Sequence, residues 1–529
     1  MSKQFSSDTE LRGKILEGIN TLADNVASTL GPRGRNVILQ EKGHMPIITK
    51  DGVTVAKFVD LEDPIMNAGA QLVKQASAKT NLDAGDGTTT STVLTRAIFE
   101  AASKHLNDDP TLSPVEIKRG IDKAVAVVVE KLEESARPIM SAEDIAHIAS
   151  ISANNDRNIG DLIAMAVDKV GKDGSITIEE ARSIDTSLDL MEGFKLDSGY
   201  AATAFVTDER RAVVRYENPI FLVTDERIET VDQILPALEI AARESRPFVI
   251  VADEIEGQAL AALIMNTVRG SMKVVAVKAP RYGEARRSIM EDLSLATGAK
   301  YIRRSRGDST KDITMADFGS AKTVEVGRNM TTVVGGEGSF LDIDNRIQSL
   351  KADLEVLDSM TECEVIQERI TRLASGIAVI KVGAATQVEM VEKKHRIEDA
   401  LEAVRSAQLE GVIPGGGIML HRISKSFNVN VDNDEQELGV KIIRDALSSP
   451  LIVMAQNSGL DSEKILQELE GIEDESVGFN FSTGERVDLY DEGIIDPVKV
   501  TRCALQNAAS VAGILITTNH AIIQFTSKD

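Results

Sequence analysis

Leu82-Asp83-Ala84-Gly85-Asp86-Gly87-Thr88-Thr89-Thr90 sets a carboxylate between two glycines and follows it with three hydroxyls. Upstream, Ile65, Gly69, Leu72, Val73 and Ala76 recur at helical spacing, and downstream Val93, Leu94, Ala97, Ile98 and Ala101 do the same. The stretch is therefore a loop that opens a helix. The first N–H groups of a helix have no partners within it, and the helix dipole makes that end positive. The amides of Gly87 to Thr90 can thus bind an anion such as phosphate, and glycine at 85 and 87 admits close backbone approach. Asp86 would repel a phosphate directly but can hold a magnesium ion that bridges to one. The same residues also read as a plain Gly-Asp-Gly turn with Thr88 as N-cap. Locally, both readings stand.

Helical patterns fill residues 8 to 134, interrupted by Gly31-Pro32-Arg33-Gly34-Arg35 and by Asn36-Val37-Ile38-Leu39, which reads as a strand. That strand and Pro46-Ile47-Ile48-Thr49 bracket a turn at Lys42-Gly43, as in a hairpin, and Lys50-Asp51-Gly52 reads as a second turn. A long helix from Pro114 to Ser135 ends before Arg137-Pro138, a candidate boundary.

From 219 to 302 short β-branched runs alternate with helical ones: Ile220 to Val223, helix 230 to 244, Phe248 to Ala252, helix 256 to 269, Lys273 to Val277, helix 284 to 297, and Tyr301-Ile302. Such alternation predicts a parallel sheet covered by helices, in a domain of its own. Glycines at its flanks, Gly193 and Gly376 (within Ala374-Ser375-Gly376), read as hinges or as ordinary punctuation. Residues 339 to 374 and 385 to 410 read as long charged helices, and after Gly411-Val412-Ile413-Pro414-Gly415-Gly416-Gly417 helical patterns return until Asp529.

A chain of 529 residues exceeds one core and predicts about three domains. Its 42% hydrophobic and 27% charged residues are those of a soluble globular protein. With 3% aromatic residues, no tryptophan and a net charge of −24, the chain lacks the basic and stacking surfaces that nucleic acid requires. No apolar run reaches the roughly 18 residues of a membrane span, and no signal core follows Met1. Cys363 and Cys503 are too few and too far apart for a disulfide framework or a cysteine metal cluster. These features together predict a cytoplasmic protein without nucleic-acid or membrane partners.

Five separated stations suit nucleotide chemistry: Thr29-Leu30-Gly31-Pro32-Arg33-Gly34-Arg35, Thr49-Lys50-Asp51-Gly52, Gly85 to Thr90, Glu398-Asp399, and Gly415-Gly416-Gly417 with Asp496-Pro497. In this order and spacing they resemble the bacterial GroEL-type group I chaperonin, from about residue 5 to residue 520. Ile151-Ser152-Ala153-Asn154, Asp168-Lys169-Val170-Gly171, Val382-Gly383-Ala384-Ala385-Thr386 and Thr501-Arg502 through Gly513 extend the likeness. The resemblance implies a chaperonin fold, multidomain α/β and α. A mainly helical equatorial ATP-binding domain would span 1–135 and 411–529, a small intermediate hinge domain 136–192 and 377–410, and an α/β apical substrate-binding domain 193–376.

It also implies a site. Thr29, Leu30, Gly31 and Pro32 would line the nucleotide, backbone oxygens of Thr29 and Lys50 would bind K+, and Asp86 would coordinate Mg2+. Gly87, Thr88, Thr89 and Thr90 would cradle the phosphates of ATP, while Gly416, Asp496 and Asn480 would hold base and ribose. Asp399 would orient the attacking water, assisted by Asp51, since phosphoryl transfer needs an in-line nucleophile and neutralised oxygens. By pattern alone Asp399 is an ordinary solvated helix residue. The implied partners are unfolded polypeptides, further copies in a homo-oligomeric ring of seven, and a GroES-type co-chaperonin. Tyr200, Phe205, Leu235, Leu238, Leu260, Ile264 and Met265 would form the apical polypeptide-binding surface, although a helix such as 256 to 269 must also bury one stripe as core.

The chain departs from the family pattern in ways that suit a divergent paralogue or a virus-encoded member. Ala204 stands where the family has a second aromatic, and Phe525-Thr526-Ser527-Lys528-Asp529 stands in place of a Gly/Met-rich tail. Ile452 replaces a base that pairs across rings, although Asp461 keeps the acidic side, and Gln387 replaces an acidic residue used between subunits. Two other classes compete. A metabolic α/β enzyme would need a Gly-rich fingerprint after a first strand, but Phe248 to Ala252 leads into Asp253-Glu254-Ile255-Glu256-Gly257. A passive holdase that has lost hydrolysis would have no need of Asp51, Asp86 and Asp399 together.

Overall fold

The computed structural model describes residues 2–525 apart from Lys42, His44, Met45, 172–174, Arg182, 357–359, Ser375 and Glu473. Lys42 of the expected hairpin turn, Ser375 of the expected hinge and the 526–529 end lie outside the described residues. The chain divides into two compact units. One comprises Met1–Met165, Glu180–Thr186 and Val382–Asp529, the other Ala166–Glu179 and Ser187–Lys381. The segments 136–192 and 377–410, expected as an intermediate domain, are thus shared between the two units.

The first unit is a helical bundle whose local sequence fixes its helix ends. Asp63 accepts the Ile65 and Met66 N–H groups at 2.8 and 3.1 Å, Pro64 fills the first turn, and Gly85 at φ +75° stops the helix Pro64–Ala84. Ser113 and Pro114 start Pro114–Glu134 in the same way. Leu11, Ile19, Leu22, Val73, Leu94, Phe99, Ile121 and Leu505 are fully buried in the shared core. Burying each such side chain contributes roughly 1.5–3 kcal/mol. The helix Val498–Thr517 packs on both Pro64–Ala84 and Thr88–Asp108, so late sequence completes a core begun early.

Strands Ser2–Ser7 and His520–Phe525 pair antiparallel, with Ser2 opposite Phe525. The expected helical continuation to Asp529 therefore gives way to a strand. Its physical basis is alternation, with Ile522 exposed and Ile523 against the core. Val37–Leu39 and Ile47–Thr49 pair antiparallel as a hairpin, with Val37 opposite Thr49. Lys50-Asp51-Gly52, read as a turn, instead begins the helix Gly52–Phe58.

In the second unit a ten-stranded sheet, counted among the described residues, runs Val274–Lys278, Phe248–Ala252, Ile220–Thr224, Gly319–Val326, Thr331–Gly336, Ser187–Leu196, Gly376–Val382, Ser175–Glu180, with Tyr301–Ile302 and Val214–Glu217 alongside. The strands between 220 and 302 are parallel to one another, with helices Val231–Glu244, Gly257–Val268 and Gly283–Thr297 between them. Gly193 and Gly376 both lie in paired strands. A Cβ on Gly193 would stand 1.8 Å from Ile377 Cδ1, so close packing is what requires glycine there.

Helices Pro114–Glu134 and Asp434–Ala446 meet through reciprocal glycines. A Cβ on Gly120 would lie 2.0 Å from the Gln436 carbonyl oxygen, and one on Gly439 2.2 Å from that of Ile117. Backbone cannot yield there as a flexible side chain would. Gly439→Ala is expected to destabilise this unit by about 2 kcal/mol, seen as an earlier first transition in denaturant. Gly13→Ala, in the helix Asp8–Ala27 with open space around it, should be neutral or stabilising by up to about 1 kcal/mol.

Candidate functional site

A cavity of about 480 Å³ opens in the first unit. Its wall draws on the loops after Asp8–Ala27 and before Gly52–Phe58, the Gly85–Thr90 turn, the helix Gln387–Glu410, and the segments around Gly416, Asn480 and Asp496. Every nucleotide-site residue named from sequence lines it: Thr29 to Pro32, Lys50, Asp51, Asp86 to Thr90, Asp399, Gly416, Asn480 and Asp496.

Gly87 at φ +84° precedes the helix Thr88–Asp108 as its N-cap, so Thr88 is the first helical residue and not the cap. Gly87 supplies no capping side chain, and the first-turn amides are left to other partners. Glycine is required by contact at 52, and by contact as well as φ at 85 and 87. A Cβ on Gly87 would meet Val500 Cγ1 at 2.7 Å, one on Gly85 Glu402 Cβ at 2.1 Å, and one on Gly52 Thr89 Oγ1 at 2.4 Å. The hydroxyls of Thr29 and Thr89 stand 3.4 Å apart, which ties the first loop to the helix Thr88–Asp108.

Asp86 accepts the Gly87 N–H at 2.5 Å and the Ser152 hydroxyl at 2.8 Å. The antiparallel pair Val412–Pro414 and Ile495–Pro497 sets Asp496 beside Gly415 and Gly416. Burial pushes the Asp496 carboxyl up to about 6, the charge of Asp86 adds to the rise, and the Gly416 and Gly417 N–H groups oppose it. Two carboxylates thus share one end of the cavity.

Positive charge lines the same cavity. The Lys50 ammonium donates to the Gly31 carbonyl at 3.1 Å. Burial first, and then the Arg396 guanidinium, lower its pKa to about 8, with Glu392 working the other way. Arg396 is held by Asp156 at 3.1 Å. Asp51 caps Gly52–Phe58, accepting the Val53 and Thr54 N–H groups at 3.1 Å each and the Thr54 hydroxyl at 2.5 Å. Those bonds hold its carboxylate fixed at the cavity wall.

On Gln387–Glu410 the cavity face is Glu392, His395, Arg396, Asp399 and Ala403, a helical stripe of mostly charged residues. Ile397, Ala400, Leu401 and Val404 are buried, and so is Glu398. Sequence reading singled out Asp399 but missed Glu392, His395 and Arg396, which recur with it at helical spacing. It also missed Phe479 and Phe481, which lack any short local signal, and gave Ser152, named only for the family likeness of its stretch, no place in the site.

In the second unit the expected polypeptide-binding set divides. Phe205 and Leu238 are buried in the core, which corrects their assignment to the surface. Leu238 shares the inward stripe of Val231–Glu244 with Ile234, Ala237 and Ala241, whereas Leu235 faces out. Met265 is exposed beside Val268, and Tyr200, Leu260 and Ile264 are partly buried against the core. Among the described residues no group of three or more His, Cys, Asp or Glu could hold a metal, and no helix is long and apolar enough to cross a membrane.

The model of the TCP-1/cpn60 chaperonin family matches residues 22–525. Among solved structures the chain is similar to the chaperonin gp146 from the bacteriophage EL 2 (Pseudomonas aeruginosa), crystallised in the presence of ATP-BeFx. Crystal form II matches with 20% identity over 99% of each chain and a TM-score of 0.66. Crystal form I matches with the same identity and coverage and a TM-score of 0.62. At this identity the likeness speaks for the fold alone. With a family match over nearly its whole length and a fold shared end to end, the chain belongs to the TCP-1/cpn60 chaperonin family.

Proposed function

We propose that the chain is an ATP-dependent, group I-type chaperonin subunit that forms a ring, binds non-native polypeptide and encloses it for folding. The observation that carries this reading is the meeting, in one cavity, of an uncapped helix N-terminus at Thr88, the cations Lys50 and Arg396, and the carboxylates Asp86 and Asp399. The amides of Gly87 to Thr90 and the Lys50 ammonium neutralise the phosphates, Gly416, Asn480 and Asp496 seat base and ribose, and Asp399 orients the water for in-line attack. Asp51, fixed by its capping bonds, assists from the opposite wall.

Magnesium fits these residues. Burial chiefly, and the charge of Asp86 with it, raise the Asp496 pKa, and a dication would relieve the repulsion between the two carboxylates. Asp86 offers one carboxylate ligand, which suits an ion that completes its shell with phosphate oxygens and water. Bound at Asp86, Mg2+ would supply charge neutralisation at the phosphates. Potassium would sit at the backbone oxygens of Thr29 and Lys50. No step is assigned to it.

Ring assembly has its own support. A two-stranded hairpin is marginal alone, and here it leaves Ile38, Ile47 and Ile48 exposed, while Phe5 and Ile522 are exposed on the other two-stranded pair. Covering them with neighbouring subunits, seven in the family's ring, resolves both. Exposed Leu235, Met265 and Val268 supply an adaptable apolar surface for clients and a GroES-type partner. Enclosure protects folding intermediates whose apolar surface aggregates in bulk, and ATP acts by favouring the closed state. Pairing of two rings gains nothing from Ile452, and Asp461 spends its carboxylate capping Ser462–Glu470. Residence in the cytoplasm completes the reading.

Negative-stain images with and without ATP should show rings, and a monomer in both would contradict the proposal. Asp399→Ala should lower hydrolysis by about 10²-fold or more while nucleotide still binds. Unchanged hydrolysis would remove Asp399 from its role. Phosphates beside Lys50 favour its protonated form, so its pKa rises on binding. Calorimetry near pH 8 in buffers of different ionisation enthalpy should therefore register proton uptake, affinity should fall as pH rises further, and Lys50→Met should abolish the uptake.

A further inference from the structure

The short helix Ser449–Asn457 packs against two glycine-bearing loops of the cavity and lines it through Pro450 and Met454. A Cβ on Gly31 would meet Met454 Cγ at 2.9 Å, and one on Gly417 would meet the Leu451 nitrogen at 3.0 Å. The Asn457 amide donates to the Ala27 and Leu30 carbonyls at 2.8 and 2.9 Å. A shift of this helix would therefore disturb the Thr29–Pro32 and Gly415–Gly417 loops together.

A buried side chain holds the start of that helix. His421, 2% exposed in the helix Ile418–Ser426, shares a hydrogen bond of 2.8 Å between its Nδ1 and the Ser448 hydroxyl. Ser448 occupies the N-cap position of Ser449–Asn457, yet its hydroxyl makes no capping bond and serves the imidazole instead. Removing that hydroxyl would strand a buried ring nitrogen, which costs more than the bond itself contributes. The charged groups about the imidazole are Lys425 and Arg422 of its own helix and Glu470 at the end of Ser462–Glu470. Glu470 already accepts the Lys425 ammonium at 2.5 Å. Burial chiefly, then Lys425, hold the His421 pKa down to about 4, with Glu470 opposing and Arg422 adding to the fall.

We propose that His421 is a positioning residue of the nucleotide site, acting through Ser448 to fix the helix that carries Pro450 and Met454, and that acid loosens this wall by charging the imidazole. The inference rests on the nucleotide-site reading above. When the wall opens, the imidazole regains its ordinary pKa near 6.5 and takes up a proton that the closed wall refuses. Opening is therefore favoured as pH falls below about 6.5, and the effect levels off near the closed-state value of about 4.

The test pairs calorimetric binding of a non-hydrolysable ATP analogue with Mg2+ to the full-length protein with hydrogen exchange of residues 449–457. His421→Leu and Ser448→Ala should each weaken binding roughly tenfold, and the double variant no more than either alone. His421→Asn, whose amide can meet Ser448 where Nδ1 does, should restore affinity to within about threefold of the parent. Between pH 7.5 and 5.5 the protection of 449–457, corrected for intrinsic exchange, should fall roughly tenfold in the parent and stay level in His421→Asn. Unaltered affinity in Ser448→Ala, additive losses in the double variant, or the parent's pH response in His421→Asn would overturn the inference and leave the nucleotide-site reading intact. Failure of the parent to bind the analogue would overturn both. Ser448→Ala, at a half-buried position, decides the matter even where His421→Leu does not fold.

Discussion

Val500 presses against the loop that begins the Thr88–Asp108 helix so closely that Gly87 has no room for a Cβ, the nearest atom standing 2.7 Å away. On that contact depends the placing of everything else in the cavity. It fixes the start of Val498–Thr517 at the phosphate loop, and the strand just before that helix carries Asp496 toward Asp86. A larger residue at 87 would push the late helix off the early ones and part the two carboxylates. The fold thus spends a glycine in the left-handed region where a capping side chain would ordinarily stabilise the helix.

The cavity's charges are arranged for an absent counterpart. Asp496 titrates high because burial and Asp86 disfavour its charge, and Lys50 titrates low because burial and Arg396 disfavour its own. Each charge is disfavoured by its surroundings, and a ligand of the opposite sign would relieve it. A nucleotide phosphate with magnesium would relieve both together, with the phosphate meeting the cations and the metal the carboxylates. Stored repulsion of this kind marks a site built to bind.

The parallel strands between 220 and 302 were legible because five-residue apolar runs between helical patterns allow little else. Pairing between distant segments was not. His520–Phe525 has the alternation of a strand, but only Ser2–Ser7, far off in sequence, makes it one. A sequence likewise does not reveal that Ile377 lies across Gly193. Among candidate site residues, glycines and hydroxyls stood out by spacing. Asp399 stood out only through family resemblance, since Glu398 beside it is chemically alike and the helix decides which carboxylate meets the cavity. Phe205 and Leu238 failed as surface residues because an apolar stripe on a helix or turn looks the same whether it meets core or client.

The account's central claim is that one nucleotide site is assembled from early and late sequence. Electron cryomicroscopy of the full-length protein with magnesium and a non-hydrolysable ATP analogue tests it most directly. The account predicts density in this cavity, with phosphates at the Gly87 to Thr90 amides, metal at Asp86 and base beside Gly416. An occupied site elsewhere, or an empty cavity at saturating analogue, would contradict it.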